Sequence, residues 1–418
     1  MGLFASCCIL AWVFKCIAYG ATIPSRTTLI NPENLIPLHL ATETLATISD
    51  PYPDKPRITF SPDGTFKITV FSDMHWGENP WDAWGPEQDA NSTRLMETVL
   101  PSEKPDFVVL NGDLITGENA FKDNATLLID RIVAPLNAAQ IPFSSTQGNH
   151  DNQKNITHLQ EIIREQQVAP LSYTRVAPMG VGGVEGPGNY WVPVYEKASG
   201  MSHLLFHQKS DTQREFHIDS TPILILWFFD SRGGFSYGDN SSAIPDWVDE
   251  SVAAWIESES AAMNDAWGPP ENRGALAFVH IPPHIIQKLQ ADLNSTKEPG
   301  LNADILGSGS TQSTTNEANV GQDDAFWNSL NANSPSKRFL ISFFADHGDE
   351  WCIREPTKNV IFCFDKHAGY GGYGDPSWGY GVRNLVFSST DPKAGIQTWI
   401  RLEEGDIKAN VTLNADYT

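Results

Sequence analysis

Five short stretches of this 418-residue chain, FSDMHWGE, LNGDLITGE, TQGNHD, FVHIPPH and ADHGDEW, set acidic, histidine and asparagine side chains just beyond hydrophobic runs. The runs are Phe66 to Phe71, Phe107 to Leu110, Ile141 to Thr146, Leu276 to Val279 and Phe339 to Phe343. Each reads as a strand. Side chains alternate faces along a strand, so Asp73 and His75, two apart, can aim an oxygen and a nitrogen at one point where the strand ends. A fold that gathers several such tips surrounds cations with carboxylate, imidazole and amide donors, a mixed set that borderline metals accept. Two ions held close together clamp both the entering and the leaving oxygen of a phosphoryl displacement. The chemistry suggested is phosphoester hydrolysis. A zinc peptidase is disfavoured, because no H-E-x-x-H helix is present.

The elements that must position these residues follow from the hydrophobic pattern. From residue 58 the signals alternate: strand 65–72, helix 91–100, strand 107–110, helix 124–138, strand 141–146, helix 155–166. That alternation predicts α/β layering, with helices covering sheet faces. Residues 189–230 turn to β-rich runs separated by Gly, Ser and Asp, and predict antiparallel strands. A helix at 245–263 then leads into the strand before His280. Residues 295–322, rich in Ser, Thr, Asn and Gly, read as a flexible surface loop. Residues 370–380, AGYGGYGDPSWGY with its flank, read as an ordered loop whose backbone approaches another element or a ligand closely. Substrate specificity is expected in the loops 76–88, 181–188 and 370–378. There is no internal repeat and no second boundary in the 58–418 domain.

Composition limits the alternatives. With 40% hydrophobic and 19% charged residues the chain is of ordinary globular type. A net charge of -23 argues against nucleic acid as the main partner, since neutralising a phosphate backbone takes clustered Lys and Arg. An anionic substrate stays compatible, because bound cations reverse the local sign.

The apolar residues 2–21, ending in small side chains near Ala18, Gly20 and Ala21, predict a cleaved signal peptide over 1–20. No later segment reaches membrane-spanning length, so no span is expected in the mature chain. Residues 21–57, Pro- and Thr-rich, read as an N-terminal arm. Six N-x-[ST] sequons, at Asn91, Asn124, Asn155, Asn240, Asn294 and Asn410, fit passage through a glycosylating pathway and a secreted or vacuolar protein. Outside the signal segment only Cys352 and Cys363 remain, and two thiols in an oxidising compartment usually pair. The polar residues 354–359 would form the turn between two strands.

In order and spacing these motifs resemble the calcineurin-like metallophosphoesterases, from about residue 66 to the end, and within them the secreted or vacuolar fungal branch related to purple acid phosphatases. DMH matches D-x-H at Asp73 and His75, NGDL matches G-D at Asp113, GNHD matches at Asn149, His150 and Asp151, HIPPH supplies His280, and the closing G-H-x-H falls on residues 344–347. The resemblance implies a sandwich of two mixed β-sheets flanked by helices, with two divalent metal ions (Mn, Zn or Fe) at the strand tips. It implies that Asp73, His75 and His347 hold the first metal, that Asp113 bridges, and that Asn149 with His280 holds the second. A hydroxide bridging the metals would attack phosphorus in line. His150 would touch the phosphate or protonate the leaving oxygen, with Asp151 orienting it. The substrate class implied is a phosphate ester, most simply a monoester. Two positions depart from the pattern. Thr116 stands where the purple type carries a tyrosinate ligand, which favours a colourless site. Ala345 stands where G-H-x-H has its first histidine, so the second metal lacks a ligand. Asp346 or water would have to fill the gap. That absence supports a rival reading, a degenerate, non-catalytic binding protein on the same fold.

Overall fold

The computed structural model describes residues 50–196, 221–269, 273–333, 340–345, 347–357 and 360–417. The predicted signal peptide and residues 21–49 of the predicted arm lie outside them, as does Asp346. Among the described residues the chain runs β1 (Ile58–Thr59), β2 (Phe66–Phe71), α1 (Trp84–Glu103), β3 (Phe107–Asn111), α2 (Leu127–Ala139), β4 (Phe143–Thr146), α3 (His158–Val168), β5 (Tyr190–Tyr195), β6 (Leu224–Phe229), α4 (Glu250–Trp267), β7 (Gly274–Val279), α5 (Ile285–Gln290), α6 (Asp324–Asn333), β8 (Leu340–Phe344), β9 (Cys352–Glu355), β10 (Val360–Phe364), β11 (Gly381–Phe387), β12 (Ile396–Leu402) and β13 (Ile407–Leu413).

The strands form two mixed sheets, one in the order β1-β5-β6-β7-β8-β10-β9 and one in the order β13-β12-β11-β2-β3-β4. The unbroken apolar runs of the sequence are explained by burial on both strand faces. Phe66, Ile68 and Val70 of β2 meet Leu226, Phe228 and Phe278 of the opposite sheet in a central core. Phe71, Val108 and Leu110 point the other way, under α1 and α2, while Trp227 and Phe229 lie under α4 and α6. The layering is helix, sheet, sheet, helix. Each large side chain taken from water in this way contributes ~1.5–3 kcal/mol.

Within the sheets β2, β3 and β4 are mutually parallel, as are β6, β7, β8 and β10. The ends of β2, β3 and β7 meet, so the two parallel sets finish on one rim of the sandwich, where the chemistry-bearing motifs fall. Helix α3 starts cleanly there because Thr157 accepts from the Gln160 amide while Gln160 reaches back, a reciprocal cap.

Two further expectations meet the structure. Cys352 and Cys363 face each other across the antiparallel β9–β10 pair and form a disulfide, with residues 354–359 between them. Residues 295–322, read as a flexible loop, are mostly exposed but hold one packed stretch: Thr311, Gln312 and Ser313 are fully buried, and Gln312 holds both the Ile281 carbonyl and the Val248 amide. Local composition hid this, because the buried groups are polar and satisfied by partners far away in sequence. At the start of the domain Tyr52 tucks its hydroxyl onto the carbonyls of Tyr173 and Trp191. No helix among the described residues is long and apolar enough to cross a membrane.

Candidate metal centre and adjoining groove

The tips of β2, β3 and β7 bring Asp73, Asp113 and His280 together, all buried, with ligand atoms within 4.8 Å of one another. His280 Nε2 lies 3.1 Å from Asp113 Oδ2 and 4.0 Å from Asp73 Oδ1. Its other nitrogen is 2.9 Å from the Asn111 carbonyl, which can only accept. Nδ1 therefore carries the proton and Nε2 turns a lone pair toward the carboxylates. Two electron-rich atoms so placed need a cation or a proton between them. Donors ~2.1 Å from one ion and at right angles stand ~3 Å apart, so the spacing suits a divalent metal. At the β4 tip the Asn149 side-chain oxygen is buried with no hydrogen-bond partner. Such an atom costs ~1–3 kcal/mol unless something binds it. The residues present fit a metal centre.

Local backbone conformation sets these side chains. Asp73, His75 and Asp113 all adopt positive φ, at 52°, 48° and 49°. Non-glycine residues rarely do so, and strain of this kind collects where function requires it. Gly112 makes the approach possible: its φ is 81°, and a Cβ there would lie 2.5 Å from His280 Nδ1. His75 holds Nε2 3.6 Å from Asp113 Oδ2, while its Nδ1 meets Thr116 Oγ1 at 3.1 Å. Thr116 thus orients a histidine at the position where a tyrosinate was absent. Burial pushes His75 well below the ordinary imidazole value. Burial would raise Asp113, but His280, His150 and His75 around it hold its carboxyl far below the usual range.

Two expected residues are placed differently. His347 does not join the cluster in this structure: its Nδ1 lies 3.1 Å from Asp304 and its Nε2 3.1 Å from the Ser310 carbonyl, both in the 295–322 segment. Asp151 does not orient His150. Its two oxygens accept from the Ile115 and Gly148 amides at 2.8 Å, bracing the loops that carry Asp113 and Asn149. Burial and the nearby Asp113 push it up to about 6. The residue holding His150 is Glu118, with Oε1 2.6 Å from Nδ1. Glu118 closes the LNGDLITGE stretch five residues after Asp113, so the sequence contained the signal. Of the loops expected to carry specificity, 76–88 begins with Trp76 buried among core residues, and the groove beside the site is walled by residues 233–247 and 309–319.

Residues missed by sequence follow the same strand-tip rule. Asp230, just past β6, accepts from the Gly188 amide and pairs with His158, whose other nitrogen meets the Gly148 carbonyl at 2.8 Å. Burial opposes a proton on His158, but Asp230 outweighs it and raises the histidine. Asp365, just past β10, is fully buried and accepts from Asn111 at 2.6 Å. Burial pushes it up to about 8. His367 lies beside the site. Its ring stacks on that of His75 at 5.7 Å, and burial lowers it to about 4. The Gly-rich loop does approach closely, as its composition predicted: Gly372 lies against the His75 ring, where a Cβ would meet Cδ2 at 2.4 Å. Tyr373 of that loop, 76% exposed, stands 5.5 Å from the His150 ring.

From Asn149 and His150 an open groove of about 970 Å³ leads outward. Phe235, Ile244, Trp247 and Ile281 supply apolar walls, and Asp246 and Glu317 add acidic ones.

Residues 66–273 match the calcineurin-like phosphoesterase family. The chain carries a calcineurin-like phosphoesterase domain. The probable inactive purple acid phosphatase 29 of Arabidopsis thaliana is 27% identical over 375 residues, 83% of this chain and 85% of that protein. Phosphatase DCR2 of Saccharomyces cerevisiae is 26% identical over 361 residues, 83% of this chain and 55% of that protein. Among solved structures, a dimetal phosphatase from Danio rerio aligns over 84% of this chain and 100% of its own at 11% identity and a TM-score of 0.47. Of the ligand positions expected from the sequence, Asp73, Asp113 and His280 form the close group and His75 lies beside it.

Proposed function

We propose that the protein is a metal-dependent phosphoesterase of the secretory pathway that hydrolyses phosphate monoesters. The observation carrying this reading is the pairing of His150 with Glu118 at the mouth of the groove, directly against the Asp113 cluster. The His150 amide donates to Asp113 Oδ1 at 2.8 Å, so acid and metal-bridging carboxylate share one rigid unit. Divalent cations held by Asp73, His75, Asp113, Asn149 and His280 would acidify a water and neutralise the phosphoryl oxygens. The chain's own residues do the rest. Glu118 fixes Nδ1 of His150, so proton donation to the departing alkoxide falls to Nε2. Tyr373 and the Gly-rich loop cover the His75 side, and the groove admits the alcohol portion of the ester.

Secretion or vacuolar delivery is supported by the apolar N-terminus, the disulfide and four exposed sequons, at Asn124, Asn240, Asn294 and Asn410. Asn91 and Asn155 are half-buried, and the Asn155 amide nitrogen already donates to the Glu118 and Ala120 carbonyls. We expect glycans on the exposed four.

Phosphate release from a series of aryl and alkyl monoesters tests the catalytic reading. His150→Ala should lower turnover ~10²–10⁴-fold for poor leaving groups and much less for 4-nitrophenyl phosphate. Equal losses across the series would remove His150 as the acid. The second reading, a binding protein without turnover, draws on Ala345 and on the engagement of His347 outside the cluster. No release from any ester at saturating Mn or Zn would favour it.

A further inference from the structure

The position lacking its ligand sits in a row that holds another. β7, β8 and β10 are adjacent and parallel, with Phe278 in register with Phe343 and Phe344 with Phe364. Extending that register beyond the strands sets His280, Ala345 and Asp365 side by side. The backbone confirms it: the Ala345 amide donates to the His280 carbonyl at 3.0 Å, and the Asp365 amide to the Phe344 carbonyl at 2.7 Å. Residues in register on neighbouring parallel strands project from the same face, ~4.8 Å apart. His280 faces Asp113, so Asp365 projects toward the same rim, past a methyl group too small to block it.

The Asp365 carboxylate lies outside the close Asp73, Asp113 and His280 group but carries an oxygen open to a cation. It is fully buried, Oδ2 accepts from Asn111 Nδ2, and Oδ1 has no hydrogen-bond partner. Asn111 is the residue whose carbonyl orients His280, and its side-chain oxygen takes the Thr146 hydroxyl, which fixes the amide orientation. The buried Arg383 guanidinium is the charge that acts most strongly on Asp365, and Asp73 and His280 act on it as well. The buried Asn149 oxygen adds a second atom at this rim awaiting a partner. The Cys352–Cys363 bridge anchors the strand two residues before Asp365.

We propose that Asp365 is a ligand of the second cation, standing in for the imidazole that Ala345 cannot supply. This rests on the metal-centre reading above and deepens it: a carboxylate borrowed from the next strand keeps the site at two metals and makes it harder and more anionic than a histidine would.

Asp365→Asn tests this without opening a void. Asn111 donates into Oδ2, so an asparagine would give its oxygen to Asn111 and turn its NH₂ group toward the ion, where it cannot coordinate. The full chain, loaded with Mn²⁺ and dialysed, is assayed for bound manganese and by Mn²⁺ EPR, with circular dichroism reporting the fold. Wild type should hold two Mn²⁺ per chain with the spectrum of a coupled pair. Asp365→Asn should hold one with an isolated-ion spectrum, its second site weakened by more than the ~10–100-fold that loss of an outer hydrogen-bonding partner costs. Ala345→His combined with Asp365→Asn should regain the second ion and the coupled spectrum, a rescue that a purely structural role for Asp365 would not give. Asp365→Asn retaining two ions at wild-type affinity overturns the proposal and leaves the metal reading intact. If Asp365→Asn does not fold, the double variant decides: a folded double variant with one ion also overturns it. Wild type holding one ion overturns it as well, and wild type holding none overturns the metal reading itself.

Discussion

Glu118 and Thr116 act through the histidines they hold, and each gives a separable phenotype. Glu118→Gln keeps the hydrogen bond to His150 but removes the negative charge beside it, so turnover should fall ~10–100-fold with manganese content unchanged. A variant that loses metal instead would place Glu118 in the ligand set. Thr116→Val removes the 3.1 Å contact to His75 Nδ1 and should loosen metal binding more than it slows turnover at saturating metal. The residue types at the strand tips announced the chemistry, because Asp73, His75, Asp113, Asn149 and His280 follow apolar runs directly. What spacing could not convey was which neighbour holds which ring. Asp151 is adjacent to His150 in sequence, yet its oxygens are consumed by two backbone amides, and Glu118 reaches His150 from another loop. His347 matched a motif, but its direction depends on Asp304 and Ser310, which composition had assigned to a free loop.

At the scale of elements, parallel strands ending on one rim do the positioning, and turns at positive φ deliver the side chains. Gly112→Ala tests this. The substitution forces an L side chain into φ 81° and against the His280 ring, so it should destabilise by more than the ~1–2 kcal/mol of left-handed backbone alone. Chemical denaturation measures the loss; unchanged stability with full metal binding would mean the turn relaxes freely. Opening the β9–β10 bridge with Cys352→Ser and Cys363→Ser together should cost ~2–4 kcal/mol. Strand and helix order was legible because burial on both faces leaves long apolar runs, and the observed bounds differ from the expected ones mainly at helix ends. Helix α1, expected at 91–100, runs from Trp84 to Glu103. Its first two turns have no apolar face in the sequence, since packing against the site loops, through Asp89 on the Gly77 amide, holds them.

For the whole molecule, the charge of -23 is compatible with an anionic substrate only if the rim carries cations. Buried carboxyls also shape its response to pH. Burial pushes Asp349 up to about 6, so the folded chain holds this proton between ~4 and ~6 while the unfolded chain releases it. The contribution is fully present below ~4 and is lost as pH rises through ~6. Asp349→Asn should therefore flatten the dependence of the unfolding midpoint on pH over that window, measured on metal-free protein; an unaltered slope would show that Asp349 titrates normally in the fold.

The central claim is that this rim is a metal centre built for phosphoester hydrolysis, with Asp113 touching the whole of it. The most direct measurement pairs bound-metal analysis with phosphate release from 4-nitrophenyl phosphate for wild type and Asp113→Ala, each dialysed and then supplied with Mn or Zn. Wild type should retain metal after dialysis and release phosphate in proportion to it, whereas Asp113→Ala should lose both while keeping its circular dichroism spectrum. Asp113→Ala that binds metal and hydrolyses the ester as wild type does would contradict the account.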